Sequence, residues 1–284
     1  MTIMMSLQLL RFYFHYGIRW IKYFWRAQTR YDVHSPFLSR FVEEVIQDRR
    51  WFYTFSIVEP LRQQLLHNRN LIERRDLGAG SIANPGTKRT IRSIAKSSAL
   101  SPAEGRLLFR IVNFFKPKTI LELGTSLGIS TLYQIGAAPR AKMVTVEGCP
   151  ATAKVADANF RQLGTAKLSL LVGPFREMLP TALQNLQTLD FLYLDGDHRE
   201  APTLEYIYQC LPNVHENTVF VIADIHWSAE METAWNTLKE RPEVTLSIDL
   251  FSFGLLFFRT NAFQKEHLTL IPYLFKPWRM GFWS

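Results

Sequence analysis

Between residues 118 and 260, short apolar runs alternate with longer stretches of helical periodicity. The apolar runs are rich in Val, Ile, Leu and Phe and end near Gly, Glu or Asp, which is typical of buried parallel strands. The pattern predicts strands at 118–123, 143–146, 168–172, 191–194 and 218–223, and helices at 130–138, 150–163, 175–184, 201–211 and 229–240. Five strand–helix units predict a parallel sheet with helices on both faces.

The order changes after the fifth unit. Residues 244–251 and 255–259 are two further strand-like runs, joined by Ser252-Phe253-Gly254 with no room for a helix. They predict a terminal antiparallel hairpin, and the expected fold is a three-layer αβα sandwich around a Rossmann-like, seven-stranded, mostly parallel sheet. Before the first strand, Ser101-Pro102-Ala103-Glu104 predicts a helix start, with Ser101 as N-cap and Glu104 at N3.

Charge divides the chain into unlike halves. The net charge is +8, but residues 1–118 hold 20 Lys and Arg against 8 Asp and Glu, whereas the rest of the chain is acidic. We expect a basic, aromatic helical region at 1–99, a central domain at 100–260, and an aromatic, basic tail at 261–284. Segment 76–99 is rich in Gly, Ser and basic residues and predicts a mobile connector or flap.

Composition sets the class of protein. At 47% apolar and 20% charged residues the chain is globular, and its apolar runs are far shorter than the roughly 18–20 residues that span a bilayer. The start lacks the pattern of a signal peptide. Cys149 and Cys210 are too few for a disulfide scaffold or a Cys-based zinc site. We therefore expect a cytoplasmic protein. Whether it also makes peripheral contact with a membrane is left open by the composition.

Two acids at strand ends carry the clearest chemistry. Glu122 lies two residues before Gly124 in a Gly-x-x-x-Gly loop that ends at Gly128. This spacing differs from the G-x-G-x-x-G of dinucleotide sites, and an acid here would repel a pyrophosphate but attract a cationic ligand. Glu147 ends the second strand and suits hydrogen bonds to ribose hydroxyls. The competing interpretations are an ordinary strand-to-helix turn and a solvated acid.

The segments ILELGTSLGIST, VTVEGCP, DFLYLDGDHR and VFVIADIHW together resemble the successive motifs of class I S-adenosylmethionine-dependent methyltransferases, in particular small-molecule O-methyltransferases with an "IDGDH"-type fourth strand. The resemblance covers about residues 101–260 and implies S-adenosylmethionine as cofactor. It implies that Glu147 holds the ribose, that Gly173 and Phe175 lie beside the adenine, and that Asp195 lies next to the transferring methyl. The loop around the methionine part would comprise Glu122, Gly124, Thr125, Ser126 and Gly128.

Asp195 and Asp224 end neighbouring predicted strands, so their carboxylates could converge on one hard cation such as Mg²⁺. The resembling metal-dependent enzymes often place a third acid or an Asn beside the second Asp, whereas here the neighbours are Ala223 and Ile225. His226 is the candidate substitute ligand. His198, three residues after Asp195, is the candidate catalytic base, because a neutral imidazole can take a hydroxyl proton near neutral pH. The alternative is that His198 only hydrogen-bonds the Asp195 loop.

Six basic residues at helical spacing mark the amino-terminal region. At about 100° per residue they share one arc of a helix, with aromatic residues on its other faces. The six are Arg11, His15, Arg19, Lys22, Arg26 and Arg30. Three interpretations stay open: packing of the aromatics on the catalytic domain or a second subunit, contact with an anionic membrane, and nucleic-acid binding, the least favoured. The aromatic tail is expected to pack beside this helix.

The sequence favours methyl transfer to an oxygen of a small molecule. Three alternatives are a methyltransferase that acts on RNA or protein through the basic half, a non-catalytic cofactor-binding or assembly protein, and a nicotinamide enzyme. The missing G-x-G-x-x-G disfavours the last of these. A homodimer is open, and the substrate's identity is not encoded in any of these motifs.

Overall fold

A computed structural model describes residues 2–73, 88–164, 167–260 and 264–279, with side chains from residue 10 to residue 278. Within these residues the chain forms ten α-helices and ten strands. The helices are α1 Thr2–Arg26, α2 Pro36–Phe41, α3 Tyr53–His67, α4 Ile91–Ser98, α5 Pro102–Phe115, α6 Ile129–Ala137, α7 Pro150–Leu163, α8 Phe175–Leu186, α9 Glu200–Cys210 and α10 Ala229–Lys239. The strands are β1 Leu71–Glu73, β2 Lys88–Thr90, β3 Thr119–Leu123, β4 Lys142–Glu147, β5 Leu168–Val172, β6 Phe191–Leu194, β7 Val219–Ala223, β8 Leu246–Asp249, β9 Phe253–Phe257 and β10 Glu266–Thr269.

The central sheet confirms the predicted fold class. Its strand order is β10-β8-β9-β7-β6-β3-β4-β5, and the strands from β7 to β5 are parallel. β9 runs antiparallel to both β7 and β8, as the terminal hairpin predicts. The turn lies earlier than expected, at 250–252, and it places Phe251 at φ +70°.

The described sheet has eight strands rather than the expected seven. The extra strand, β10, falls inside the predicted tail and pairs in parallel with β8 at the sheet edge. Its sequence, Glu-His-Leu-Thr, is short and largely exposed, so it carries no buried apolar run that would mark a strand. An edge strand needs backbone pairing on one side only, and hydrophobic patterning does not report that pairing.

Alternation of side chains along the strands builds two cores, one on each face of the sheet. Ile120, Phe191 and Val221 belong to one core, which the helices α2 to α7 cover. Leu121, Leu192 and Phe220 belong to the other, which α8, α9 and α10 cover. The three layers follow directly, because every central strand is apolar on both faces and needs a helical cover on each.

The amino-terminal region is helical, as expected, with one difference. β1 and β2 form a two-stranded antiparallel sheet, in which Ile72 pairs with Arg89. The described part of the predicted connector, residues 88–99, forms β2 and α4. Residues 76–87 of that connector lie outside the described residues.

Helix α1 packs by one face against residues that follow β7 and β8 of the central sheet. Phe12 contacts Trp227 at 4.5 Å between ring centroids, and Tyr16 and Tyr23 contact Phe251 at 5.2 and 5.1 Å. Two of the six basic residues at helical spacing do not lie with the others on an exposed arc of the helix. Arg19 forms a partly buried ion pair with Glu232 at 2.9 Å, and Arg30 lies beyond the end of the helix.

The carboxyl-terminal segment packs beside α1, as expected. Gln28 and Leu270 form an isolated parallel β-bridge. The Lys276 ammonium donates hydrogen bonds to the carbonyl oxygens of Trp25 at 3.3 Å and Ala27 at 2.6 Å. Lys276 is buried and lies over the Phe24 ring. Its positive charge lies at the C-terminal end of α1, where the helix dipole favours a cation.

Candidate functional site

The loop after β3 is held in unusual backbone conformations. Gly124 and Gly128 have φ values of +110° and +85°, and Ser126 has φ +48°. A Cβ on Gly124 would lie 2.0 Å from the carbonyl oxygen of Asp195, and one on Gly128 would lie 2.5 Å from the Phe160 ring. The first glycine is thus required for the close approach of this loop to the end of β6, and the second for the packing of α6 on α7.

Glu122 is fully buried beneath this loop. Its carboxylate accepts hydrogen bonds from four side chains, which are Ser130 at 2.7 Å, Thr131 at 2.5 Å, Gln134 at 2.7 Å and Thr145 at 2.6 Å. Burial raises the pKa of Glu122 to about 7 in spite of these donors. Because the donors come from α6 and β4, Glu122 ties the loop to both, and a direct cofactor contact stays a prediction for this residue.

Thr125 is likewise turned inward. Its side chain is buried and forms a hydrogen bond with the Thr145 hydroxyl at 2.5 Å. Its amide and that of Gly124 both donate to the carbonyl of Val146, at 3.3 and 3.0 Å. The hydroxyl of Thr125 therefore helps to set the loop conformation, and Ser126 is the partly exposed residue at the tip.

Glu147 ends β4 beside the tip of the loop. One carboxylate oxygen accepts the Ser126 amide at 2.8 Å, and the other accepts the Cys149 amide at 2.9 Å. The side chain is partly exposed. The two backbone amides therefore fix the orientation of the Glu147 carboxylate at the end of β4.

Gly173 and Phe175 follow β5 at the same edge of the sheet. The Gly173 amide donates to the carbonyl of Glu147 at 3.0 Å. The Phe175 ring packs edge-on to Tyr206 at 5.6 Å, and a Cβ on Gly196 would come within 2.8 Å of it. An aromatic ring at the ends of β5 and β6 suits contact with a flat heterocycle.

Three titratable groups converge at the ends of β6 and β7. The Nε2 atom of His198 lies 3.6 Å from Asp195 and 3.7 Å from Asp224. One ligand atom from each lies within 4.8 Å of the others, which is the only such group of His, Cys, Asp and Glu in the described part of the chain. Asp224 and the neighbouring Asp197 adopt φ values of +56° and +52°. Such backbone strain in non-glycine residues is characteristic of functional sites.

Burial disfavours ionisation of both acids. It raises the pKa of Asp195, and it raises the pKa of Asp224 to about 6, with His198 acting in the opposite direction. Each acid also raises the pKa of its neighbours by charge repulsion. A cation between them would offset these terms, and oxygen ligands of this kind suit Mg²⁺. The residues present therefore fit a divalent cation.

The prediction of His226 as a ligand is corrected by the structure. Both of its ring nitrogens are used elsewhere, Nδ1 by Glu232 at 3.0 Å and Nε2 by Asp249 at 2.9 Å. Its ring stacks on Phe251 at 5.1 Å. His226 therefore joins α10 to β8, whereas His198 lies at the acid pair.

Three residues near the acid pair escaped the sequence analysis. The Tyr193 hydroxyl donates to Asp195 at 2.9 Å. Glu104 forms the predicted capping box with Ser101, but its charge also raises the pKa values of Asp195 and Asp224. Tyr16, from α1, has its pKa raised to about 12 by burial and by the charge of Asp224. The alternation in β6 places Tyr193 on the same face as Asp195, which was the available signal for Tyr193.

Known proteins match the central part of this chain. Residues 121–225 match the family model described as a methyltransferase domain. The chain is 29% identical over 129 residues to catechol O-methyltransferase of Mycobacterium tuberculosis, over 45% of this chain and 57% of that protein. The aligned part is thus less than two thirds of the relative's length.

Solved structures support the fold. An O-methyltransferase from Bacillus cereus in complex with S-adenosylhomocysteine superposes with a TM-score of 0.51 at 16% identity, covering 77% of this chain and 95% of that one. TomG from Streptomyces achromogenes, in complex with S-adenosylmethionine, gives 0.52 at 18% identity, covering 77% and 94%. The resemblance drawn from the motifs is confirmed: residues 121–225 match a methyltransferase-domain model, and the sheet has the fold of these solved methyltransferases.

Proposed function

We propose that the protein transfers the methyl group of S-adenosylmethionine to an oxygen of a small molecule, assisted by a divalent cation. The observation that carries the proposal is the placement of Glu147, the loop at 124–128 and the Asp195–His198–Asp224 group at one edge of the sheet. Open α/β sheets bind their ligands at this edge. The O-methyltransferase relatives support the choice of oxygen as acceptor.

Cofactor binding is assigned to residues at the carboxyl ends of β3, β4 and β5. Glu147 would accept hydrogen bonds from the ribose hydroxyls, and Phe175 with Gly173 would border the adenine. Ser126 and Gly128 would border the methionine part, while Glu122 holds their loop in shape. When bound, S-adenosylmethionine supplies an electrophilic methyl group on a sulfonium.

Proton removal is assigned to His198. Its Nε2 atom lies 3.6 Å from Asp195 and 3.7 Å from Asp224, beside the place where an acceptor hydroxyl would meet the two acids. Asp195 and Asp224 would hold the cation, which when bound lowers the pKa of an acceptor hydroxyl. The task left to the protein is alignment of that hydroxyl with the methyl group.

The acceptor is expected to be a small, hydroxylated aromatic compound. The relative named catechol O-methyltransferase favours such a compound. In this chain Phe12, Tyr16 and Trp227 place aromatic surface beside Asp224. A flat ring would pack there with its hydroxyl toward the acids. Action on RNA or protein, a homodimer and a cytoplasmic location remain separate proposals.

Incubation with S-adenosylmethionine carrying a labelled methyl group tests the function. We expect label in small catechol acceptors, release of S-adenosylhomocysteine, and loss of transfer when a chelator removes the cation. Transfer that persists in the presence of a chelator would show that the reaction needs no cation, and His198 would remain the proposed base. No transfer to any hydroxylated acceptor, with label instead in RNA or protein, would contradict the proposal.

A matched pair of variants tests the base. His198→Gln should lower kcat by about 10²–10⁴-fold, the usual contribution of a positioned base. His34→Gln, at an exposed histidine without a described partner, should leave kcat unchanged. Equal effects of both substitutions would contradict the assignment.

A further inference from the structure

Helix α1 exposes an apolar face directly opposite the face that packs on the protein. At about 100° per residue, Phe12, Tyr16, Arg19 and Tyr23 share the packed side, and a second group falls about 180° away. That group, here called the outer face, consists of Leu10, Phe14, Ile21 and Trp25. Their exposed fractions are 68%, 66%, 52% and 73%.

The outer face continues beyond the helix. Trp278 contacts Phe24 at 6.2 Å between ring centroids and is 61% exposed, and Phe275 is 54% exposed. Lys276 fixes this segment to the end of α1 through its two hydrogen bonds. The exposed aromatic surface is thus larger than a few isolated side chains, and contiguous apolar surface of this kind marks an interaction site.

One flank of the outer face is uniformly basic. It consists of Arg11, His15, Lys22 and Arg26, all exposed. From Thr2 to Arg26 the helix contains no Asp or Glu. The opposite flank carries Tyr13 and Trp20, which have the amphipathic rings that favour a membrane–water interface.

We propose that the outer face of α1 and its basic flank form a docking surface for an anionic lipid bilayer, with the helix lying in the plane of the interface. The apolar side chains would enter the boundary between headgroups and acyl chains, and the basic flank would meet lipid phosphates. Among the described residues no helix has the length and apolar character needed to cross a bilayer. The proposed docking surface does not rest on the proposed methyltransferase activity.

Charge separates this occupant from the others. An antiparallel two-fold dimer through the outer face would bring the basic flanks of the two copies to the same side, and the helix offers no acid to pair with them. Nucleic acid would use the basic flank but leave Leu10 and Ile21 in water. A bilayer satisfies both the apolar and the basic side chains.

Co-sedimentation of the full chain with vesicles tests the proposal. Wild type should bind vesicles of mixed phosphatidylglycerol and phosphatidylcholine at low salt, bind pure phosphatidylcholine more weakly, and lose affinity at high salt because the charges are screened. Binding that is equal for the two compositions, or absent at low salt, would overturn the proposal.

Variants assign the binding to the surface. Each of Arg11→Gln, Lys22→Gln and Arg26→Gln should weaken binding about five-fold, which is the ~1 kcal/mol of one basic residue near an anionic surface. The matched controls Arg49→Gln, Arg69→Gln and Arg92→Gln remove exposed charges elsewhere and should have little effect. Equal losses in both sets would show attraction by net charge alone and contradict a defined surface.

Apolar substitutions complete the test. Phe14→Ser with Trp25→Ser should abolish binding, whereas Tyr53→Ser, at a residue 81% exposed on α3, should not. Circular dichroism and the melting temperature verify that the variants fold. Sedimentation equilibrium of the same proteins identifies the rival occupant, because a dimer that Phe14→Ser and Trp25→Ser dissociate would assign the outer face to a second copy.

Discussion

Replacement of Gly124 by Ala probes the contact that brings the β3 loop to the candidate methyl-transfer site. The glycine has φ +110°, and an added Cβ would lie 2.0 Å from the Asp195 carbonyl oxygen and 2.7 Å from its carbon. Both obstacles are backbone atoms, so a side-chain rotation cannot relieve the clash. The loop and the end of β6 have to separate by about 1 Å or more to restore van der Waals contact near 3.5 Å.

The size of the effect follows from two contributions. A left-handed backbone costs a residue with a Cβ about 1–2 kcal/mol, and overpacking of a close contact costs about 1–3 kcal/mol. We expect Gly124→Ala to lower the free energy of unfolding by about 2–5 kcal/mol, which is the sum of these two contributions. A shift of this size in the loop should also weaken cofactor binding at least ten-fold.

The chain supplies a matched control at Gly164. This glycine also has a positive φ, +67°, but a Cβ there would meet no atom within 4 Å. Gly164→Ala should cost only the backbone term, about 1–2 kcal/mol, and should leave cofactor affinity unchanged. Urea denaturation gives the stabilities, and calorimetry with S-adenosylhomocysteine gives the affinities of the three proteins. Equal stability losses for both substitutions, or unchanged affinity in folded Gly124→Ala, would refute the reasoning.

Three further predictions concern charge. The folded chain holds the Glu122 proton up to about pH 7, whereas the unfolded chain releases it near pH 4.5, so stability falls as pH rises between these values. Glu122→Gln should reduce this fall in urea titrations, and an unchanged slope would contradict the raised pKa of Glu122. Arg19→Gln should lower stability by up to about 1 kcal/mol, with a positive coupling energy to Glu232 in a double-mutant cycle; simple additivity would show that the ion pair contributes nothing. Mg²⁺ should raise the melting temperature of wild type but not of Asp195→Asn or Asp224→Asn, and a rise retained by both variants would place the cation elsewhere.

The sheet was predictable because its strands are buried on both faces. Apolar runs such as 191–194 have no other stable location, and the helices between them fix the parallel order. β10 was not predictable, since its pairing depends on exposed backbone at the sheet edge. The position of α1 was predictable only in part, because aromatic residues surround the helix and the packed side is selected by Trp227 and Phe251.

The candidate site shows a similar division. Strand ends identified Glu147, Asp195 and Asp224, because parallel strands bring their carboxyl ends to one edge. The candidate ligand His226 lies apart from the acid pair because its ring hydrogen-bonds between α10 and β8, a contact that no strand-end pattern reports. The buried partners of Glu122 come from α6 and β4, so only the three-dimensional packing reveals that this acid is saturated with donors.

A crystal structure of the protein with S-adenosylhomocysteine tests the central claim most directly. We predict that the ribose hydroxyls lie about 2.7 Å from the Glu147 carboxylate and that the sulfur faces the Asp195–His198–Asp224 group. Electron density for the ligand away from Glu147, or none at a saturating concentration, would contradict the account.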